Sequence, residues 1–189
     1  MGDKLISTSF ETQLGSAMAL FDESSLVYFT IHGPGVKYGV PRILKAAPKG
    51  LQIADGTHPL SEQLEAELKA YFLGELREFK VPYTLHGTAH QKAVWQLLAG
   101  IPYGETVTYK VLAEQAGIAS FRAVGTMVGL NPIPILLPCH RVVRADKKIG
   151  CFSCAQGTDT KRFLLELEGA NTNLQLKAAN QSSLRAHSS

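Results

Sequence analysis

Between Asn131 and Val143 the chain reads Asn-Pro-Ile-Pro-Ile-Leu-Leu-Pro-Cys-His-Arg-Val-Val, with prolines at 132, 134 and 138. Proline fixes its own φ, lacks a backbone N–H and drives the residue before it toward extended backbone. Three prolines within seven residues forbid a helix here, and Ile133, Ile135, Leu136 and Leu137 supply apolar bulk between them. The stretch is therefore expected to be stiff and non-helical, delivering Cys139, His140, Arg141, Val142 and Val143 to one fixed place.

That place carries chemistry. The attacking form of cysteine is the thiolate, which neighbouring His⁺ or Arg favours. Adjacent side chains on an extended backbone point apart, so Cys139 and His140 are expected to communicate through a water. A histidine in this role needs a third group to orient it, most often a carboxylate. Glu105, Glu114, Asp146, Glu166 and Glu168 are the candidates, and spacing alone does not choose among them. The non-catalytic reading of the same pair is a buried cysteine beside a surface histidine.

Upstream, Leu5–Phe10, Ala17–Phe21 and Leu26–Ile31 are short apolar or β-branched runs separated by turn residues, the pattern of an antiparallel meander. A loop rich in Gly, Pro and Lys runs from His32 to about Pro59. Ser61 is expected to cap a helix with Leu64, Leu68, Tyr71 and Phe72 at helical spacing and Gly74 near its end. Val81-Pro82-Tyr83 reads as an extended link. Thr88 and Gln91 then form a capping-box pattern ahead of Val94, Leu97 and Leu98, in a helix expected to stop near Gly100. A helix capped by Thr108 and closed by Gly117, then a second from about Phe121 to Leu130, makes a helix-turn-helix pattern. A last helix is expected from Lys161 to about Gly169, and the polar tail beyond Ala170 is expected to be disordered. The fold class is thus an α/β N-terminal domain, a small antiparallel sheet plus helix over residues 1–80, followed by a mainly α C-terminal domain with a helix-turn-helix over 81–170. Residues 171–189 form the tail.

Charge divides along the same line. Residues 1–85 hold 8 Lys and Arg against 10 Asp and Glu, which leaves 11 of the 19 basic and 6 of the 16 acidic residues to the second half. A basic surface attracts polyanions such as nucleic acid over about a Debye length, ~8 Å at physiological salt. With 45% hydrophobic residues in 189, the chain can bury a core and lies outside the disordered class. Its three cysteines, an odd count confined to the last third, argue against a disulfide framework and for a reducing compartment. No apolar run is long enough to span a membrane and no secretory signal is visible, so an intracellular address is expected.

The proline-rich stretch resembles the signature of the 6-O-alkylguanine-DNA alkyltransferases, direct-reversal DNA repair proteins. The resemblance extends over about residues 81 to 169: Gly87-Thr88 with Gln91, Val94 and Trp95; Ile101 to Thr106 with Thr108-Tyr109; Arg122-Ala123-Val124-Gly125; Leu164-Leu165 with Glu168-Gly169. It implies single-use transfer of an alkyl (methyl) group from the 6-oxygen of guanine to Cys139, the guanine being flipped out of duplex DNA. Cys139, His140 and Glu168 are then the thiol and its relay. Tyr109 crowds the neighbouring phosphate and hydrogen-bonds the guanine ring. Asn131 ties the second helix to the active-site segment. Val142, Phe152 and Ser153 meet the flipped base, and Arg122 fills the gap left in the stack. Lys110 and Arg141 fall within motifs expected to meet DNA. No cofactor and no metal are implied, and the partner is double-stranded DNA containing alkylated guanine, engaged by a monomer. The address is nuclear in a eukaryote and cytoplasmic otherwise.

Departures from the family pattern are informative. Thr126-Met127-Val128-Gly129-Leu130 is bulkier than the small residues common after Ala-Val-Gly, which bears on how closely the second helix approaches DNA. The substrate loop reads Gly150-Cys151-Phe152-Ser153-Cys154-Ala155, and either Phe152 or Cys154 aligns with the family's tyrosine. Cys151 and Cys154 form a Cys-x-x-Cys without the further ligands a structural zinc needs. Two alternatives to alkyl transfer are a lesion-binding protein that does not transfer, and a cysteine hydrolase using Cys139 and His140, for which no oxyanion motif is present.

Overall fold

The computed structural model describes residues 4–33, 51–146, 149–150, 152 and 154–170. Strands β1 (Lys4–Thr12), β2 (Gly15–Phe21) and β3 (Leu26–His32) pair antiparallel in sequence, as the meander pattern predicts. The turn between β1 and β2 needs Gly15, whose φ is +120° and where a Cβ would run into the carbonyl of His32. The sheet is mixed rather than purely antiparallel, because a fourth strand, β4 (Gln52–Asp55), joins β1 in parallel and gives the order β3-β2-β1-β4. Four residues with a largely exposed face carry no legible period, which is why this strand is absent from the sequence pattern. Residues 34–50 of the expected loop, the tail 171–189, Cys151 and Ser153 lie outside the described residues.

Helix α1 (Pro59–Phe72) buries Leu64, Leu68, Tyr71 and Phe72, the stripe read from the sequence. Its cap is His58, not Ser61. Pro59 takes the first helical position, where its missing N–H costs nothing, and His58 Nδ1 accepts from Leu60 N at 3.1 Å. Ser61 sits one turn in, donating its hydroxyl back to His58 O.

In the second half, α2 (Ala89–Ala99) begins with the expected capping box between Thr88 and Gln91. Strand β5 (Val107–Thr108) leads into α3 (Tyr109–Gln115), capped by Thr108, and α4 (Phe121–Gly129), capped by Ser120, follows after Gly117 at φ +65°. This is the predicted helix-turn-helix. Trp95 Nε1 donates to Met127 O at 2.8 Å and fixes α2 against α4. Cys139–Arg141 form one turn of 3-10 helix instead of extended backbone, followed by β6 (Val142–Val143), which pairs parallel with β5. Prolines keep the approach to Cys139 open, but after Pro138 the chain tightens, with Arg141 N bonding Pro138 O at 2.9 Å. The last helix, α5, covers Thr158–Leu167, three residues earlier at its start than expected.

The two halves share one core. Leu64, Leu68 and Tyr71 belong to the same buried cluster as Val94, Leu98, Leu112, Ile133, Leu137 and Leu164. The free edge of β3, an edge that unprotected strands leave open to pairing, is taken up by the second half. Phe29 N bonds Pro132 O at 2.9 Å and Ala155 N bonds Ile31 O at 2.8 Å. The N-terminal sheet thereby grips both the proline segment and the end of the substrate loop.

Candidate active site

Asn131 closes the segment that carries the nucleophile. Its Nδ2 donates to Leu137 O at 2.8 Å and its Oδ1 accepts from Ile133 N at 3.1 Å, so one side chain spans both ends of the turn. Ile135 sits at φ 76°, a left-handed conformation unfavourable for a β-branched residue. The Asn131 strap and the burial of Ile135 hold it there. Asn131→Ala leaves the Ile133 amide without its acceptor and takes from Leu137 O one of two donors, the other being Cys139 N, and the thermal midpoint is expected to fall by the equivalent of about 2 kcal/mol.

Behind Cys139 lies a buried network centred on Glu168, just past the end of α5. The carboxylate accepts from five donors. Oε1 receives Tyr71 Oη at 2.6 Å, His140 Nε2 at 2.8 Å and Arg141 Nη2 at 2.9 Å; Oε2 receives Arg141 Nε at 2.8 Å and Gly104 N at 3.2 Å. Gly104 has φ +78°, and a Cβ there would meet Glu168 O at 2.9 Å, so only glycine permits this approach. Burial by itself raises the Glu168 carboxyl, but the hydrogen bonds from His140 and Arg141 outweigh it and hold the group well below the usual carboxylate range. Burial lowers His140 below its ordinary value against the pull of Glu168, so the ring is neutral near pH 7. With Nε2–H donated to an ionised carboxylate, Nδ1 is left as the basic nitrogen. That Nδ1 is buried and makes no hydrogen bond among the described residues.

Cys139 is 6% exposed. Burial pushes its thiol up, while the Asn131 side chain and the ammonium of Lys161 oppose the shift. Lys161 is fully buried, donates to Val142 O at 2.6 Å and lies 5.9 Å from the centre of the Tyr109 ring. The Phe152 ring stands edge-on to His140 at 6.4 Å. A cavity of about 730 Å³ is lined by Tyr109, Lys110, Phe121, Arg122, Arg144 and Gly150 among others, and Tyr109 is the residue that links it to Lys161. Tyr109 thus belongs both to the cavity wall and to the surroundings of Lys161, one side chain removed from the thiol.

Of the residues singled out from sequence, Cys139, His140, Glu168, Asn131, Val142 and Phe152 come together here. Tyr109, Lys110 and Arg122 line the adjoining cavity. Lys110 and Glu114 form an exposed 3.9 Å ion pair. Arg141 is the correction: it is 6% exposed, with its guanidinium taken up by Glu168 and the Ile101 carbonyl, so it is an interior partner of Glu168 and not a surface cation. The 3-10 turn is what rotates it inward. Ser153 cannot be placed, since it lies outside the described residues. Cys154 is buried, and burial pushes its thiol up to about 12, so it stays protonated.

Sequence reasoning missed Tyr71, Lys161, Gly104 and Phe121. Lys161 left a signal: Lys161, Leu164, Leu165 and Glu168 repeat at i, i+3, i+4 and i+7, which places two charged residues on the apolar stripe of α5. Tyr71 left none, because an aromatic ring at core spacing looks the same whether or not its hydroxyl is used.

A helix-turn-helix packed beside an internal cysteine–histidine–glutamate network defines the class of this protein. The model for the DNA binding domain of 6-O-methylguanine DNA methyltransferase matches residues 89–170. The methylated-DNA–protein-cysteine methyltransferase of Methanosarcina acetivorans is 40% identical over 162 residues, 85% of this chain and 96% of that relative. The crystal structure of Mycobacterium tuberculosis OGT in complex with DNA superposes with a TM-score of 0.69 at 33% identity, covering 88% of this chain and 92% of that one. That of M. tuberculosis O6-methylguanine methyltransferase gives 0.68 at 34%, covering 87% and 93%. The chain belongs to the methylated-DNA–protein-cysteine methyltransferase family.

Proposed function

We propose that this protein repairs DNA by direct reversal, moving an alkyl group from the 6-oxygen of guanine to Cys139 Sγ once per molecule. The observation that carries this reading is the buried Cys139 thiol beside a neutral His140 whose Nε2 is locked to Glu168 at 2.8 Å and whose Nδ1 is free to accept a proton. The thiol proton passes through a bridging water to Nδ1, and the imidazolium so formed is stabilised by Glu168. The thiolate attacks the alkyl carbon in line, a carbon–sulfur bond forms as the carbon–oxygen bond breaks, and the electron pair leaves with the guanine oxygen. Tyr109 supports the charge that builds on the ring. The thioether product has no good leaving group, so the step is irreversible.

The cavity and its rim fit the DNA side of this reading. Arg122, at the start of α4, makes no ion pair among the described residues, and Phe121 beside it is 55% exposed. Flipping a base costs a few kcal/mol of lost stacking, and a guanidinium at this position fills the gap. Arg122→Ala is expected to slow transfer from lesion duplex by about 10²-fold, equivalent to about 2.7 kcal/mol. Transfer from the free alkylated base, which needs no flipping, stays within about twofold of wild type. Equal losses on both substrates would remove Arg122 from the flipping step.

In this assignment residues 81–170 bind DNA and carry the reaction, residues 1–80 brace them through β3, and the protein acts as a monomer. No described helix is long and apolar enough to cross a membrane. A thiol that must stay reduced suits the cytoplasm, or the nucleus where the host has one. The deciding experiment is intact mass measurement after incubation with duplex DNA containing O6-methylguanine. One methyl group gained per protein, located on Cys139, supports the reading; an unchanged mass overturns it.

A further inference from the structure

The relay behind Cys139 is completed by a residue from outside the matched 89–170 region. Tyr71 lies on α1, fully buried, and its hydroxyl reaches Glu168 Oε1 at 2.6 Å while standing 3.5 Å from His140 Nε2. Its ring is held by Phe72, Phe79 and Tyr103 at centroid distances of 5.6, 5.3 and 6.2 Å. Such a phenol is a fixed donor. Burial and the adjacent Glu168 charge push its ionisation far above the ordinary range, so it never becomes a competing anion at working pH.

We propose that Tyr71 is a positioning residue for the alkyl transfer: its hydroxyl occupies Glu168 Oε1 beside His140 and so sets how basic His140 Nδ1 is toward the Cys139 proton. This rests on the alkyl-transfer reading above and goes further, since it places part of the control of that step in the N-terminal half. The physical reason is competition. Tyr71, His140 and Arg141 all bond the same carboxylate oxygen, and each donor that neutralises it weakens the support left for an imidazolium. The groups facing His140 are Tyr71 from α1, Arg141 on its own turn, Lys161 from α5, Glu168 and the Phe152 ring. Arg141 and Lys161 disfavour the imidazolium and Glu168 alone favours it. Removing the Tyr71 hydroxyl leaves Glu168 a stronger partner for His140, and the histidine then takes up a bulk proton at higher pH.

The test compares wild type, Tyr71→Phe and Phe79→Leu, measuring the rate of mass gain on Cys139 from O6-methylguanine duplex over about pH 5–9. Tyr71→Phe keeps the ring and its contacts and loses only the hydroxyl. Its acid limb is expected to move up by about one pH unit. Phe79→Leu disturbs the packing of the same ring without touching the carboxylate, and its acid limb is expected to coincide with wild type whatever its rate. NMR titration of the His140 ring in Tyr71→Phe gives the same upward shift without requiring alkylation. A Tyr71→Phe limb that coincides with wild type overturns the proposal even where its rate is lower, because a merely structural role slows the reaction equally at every pH. Absence of any mass gain in wild type overturns the alkyl-transfer reading and this proposal with it.

Discussion

Cys139→Ala is expected to show no mass gain at any time after mixing with O6-methylguanine duplex, while binding that duplex with an affinity within about threefold of wild type. The two outcomes separate because different residues carry them. The acceptor atom is the Cys139 sulfur, and no other described cysteine can replace it: Cys154 is buried, with its thiol pushed up to about 12. The cavity walls at Tyr109, Lys110 and Arg122 are untouched by the substitution. Replacing the S–H of a cysteine by hydrogen in a site this buried costs about 1 kcal/mol of packing, so the variant folds. Intact mass and a fluorescence binding titration check both parts. Retained transfer in Cys139→Ala would mean that the acceptor is elsewhere; lost binding would mean that the sulfur itself holds the lesion.

Glu168→Gln is the second large effect, and it acts on stability as well as chemistry. Five donors converge on the carboxylate, among them three from His140 and Arg141. A glutamine amide turns one acceptor into a donor and leaves the buried guanidinium without its counter-charge. Breaking a buried pair in this way costs about 3–5 kcal/mol, measurable by denaturant unfolding. Transfer is expected to fall by about 10²-fold or more, because His140 loses the group that orients it and stabilises its cationic form. Adding Arg141→Met to Glu168→Gln removes the stranded charge and is expected to restore part of the stability but none of the rate.

The same network sets how stability depends on pH. Glu168 is held low in the folded protein, so its contribution is present above the ordinary carboxylate value of about 4.3 and is lost as pH falls below it toward the depressed folded value. His140, held below its ordinary value of about 6.5, acts in the same direction: protonating the unfolded chain draws the equilibrium away from the fold as pH drops. Cys139 acts in the opposite direction, because the folded state keeps a proton that the unfolded chain releases above about 8.5. Stability is thus expected to be greatest between these limits. Glu168→Gln makes the acid side shallower, and Cys139→Ala makes the alkaline side shallower while leaving the contribution of the raised Cys154 thiol.

Much of this site was legible before any coordinates. The prolines at 132, 134 and 138 fixed the character of the segment that carries Cys139, because their constraint is local and covalent. Thr88 and Thr108 marked two helix starts for the same reason, since capping involves only neighbours in sequence. The short strand Gln52–Asp55, by contrast, exists only because β1 offers it a partner, and Ser61 lost its expected capping role to His58 when Pro59 took the first turn. Arg141 was assigned to DNA because it lies within a motif expected to meet DNA, and motif membership does not say that its guanidinium is taken up by Glu168 in the interior.

By itself, the sequence marked the Cys139-His140 pair, the stiff proline segment that carries it and the helix-turn-helix, features specified by residue type and short spacing, while the strap at Asn131 came only from the family resemblance. Residue spacing left five carboxylates open and the resemblance pointed to Glu168; only the tertiary structure showed the bonds that Glu168 makes, that Arg141 belongs to the interior, that Lys161 stands behind the thiol, and that Tyr71 arrives from the other half of the chain. Those choices depend on contacts between residues 19 to 97 positions apart. Burial converts such contacts into large electrostatic effects, and neither long-range contact nor burial is written in any local stretch of the chain.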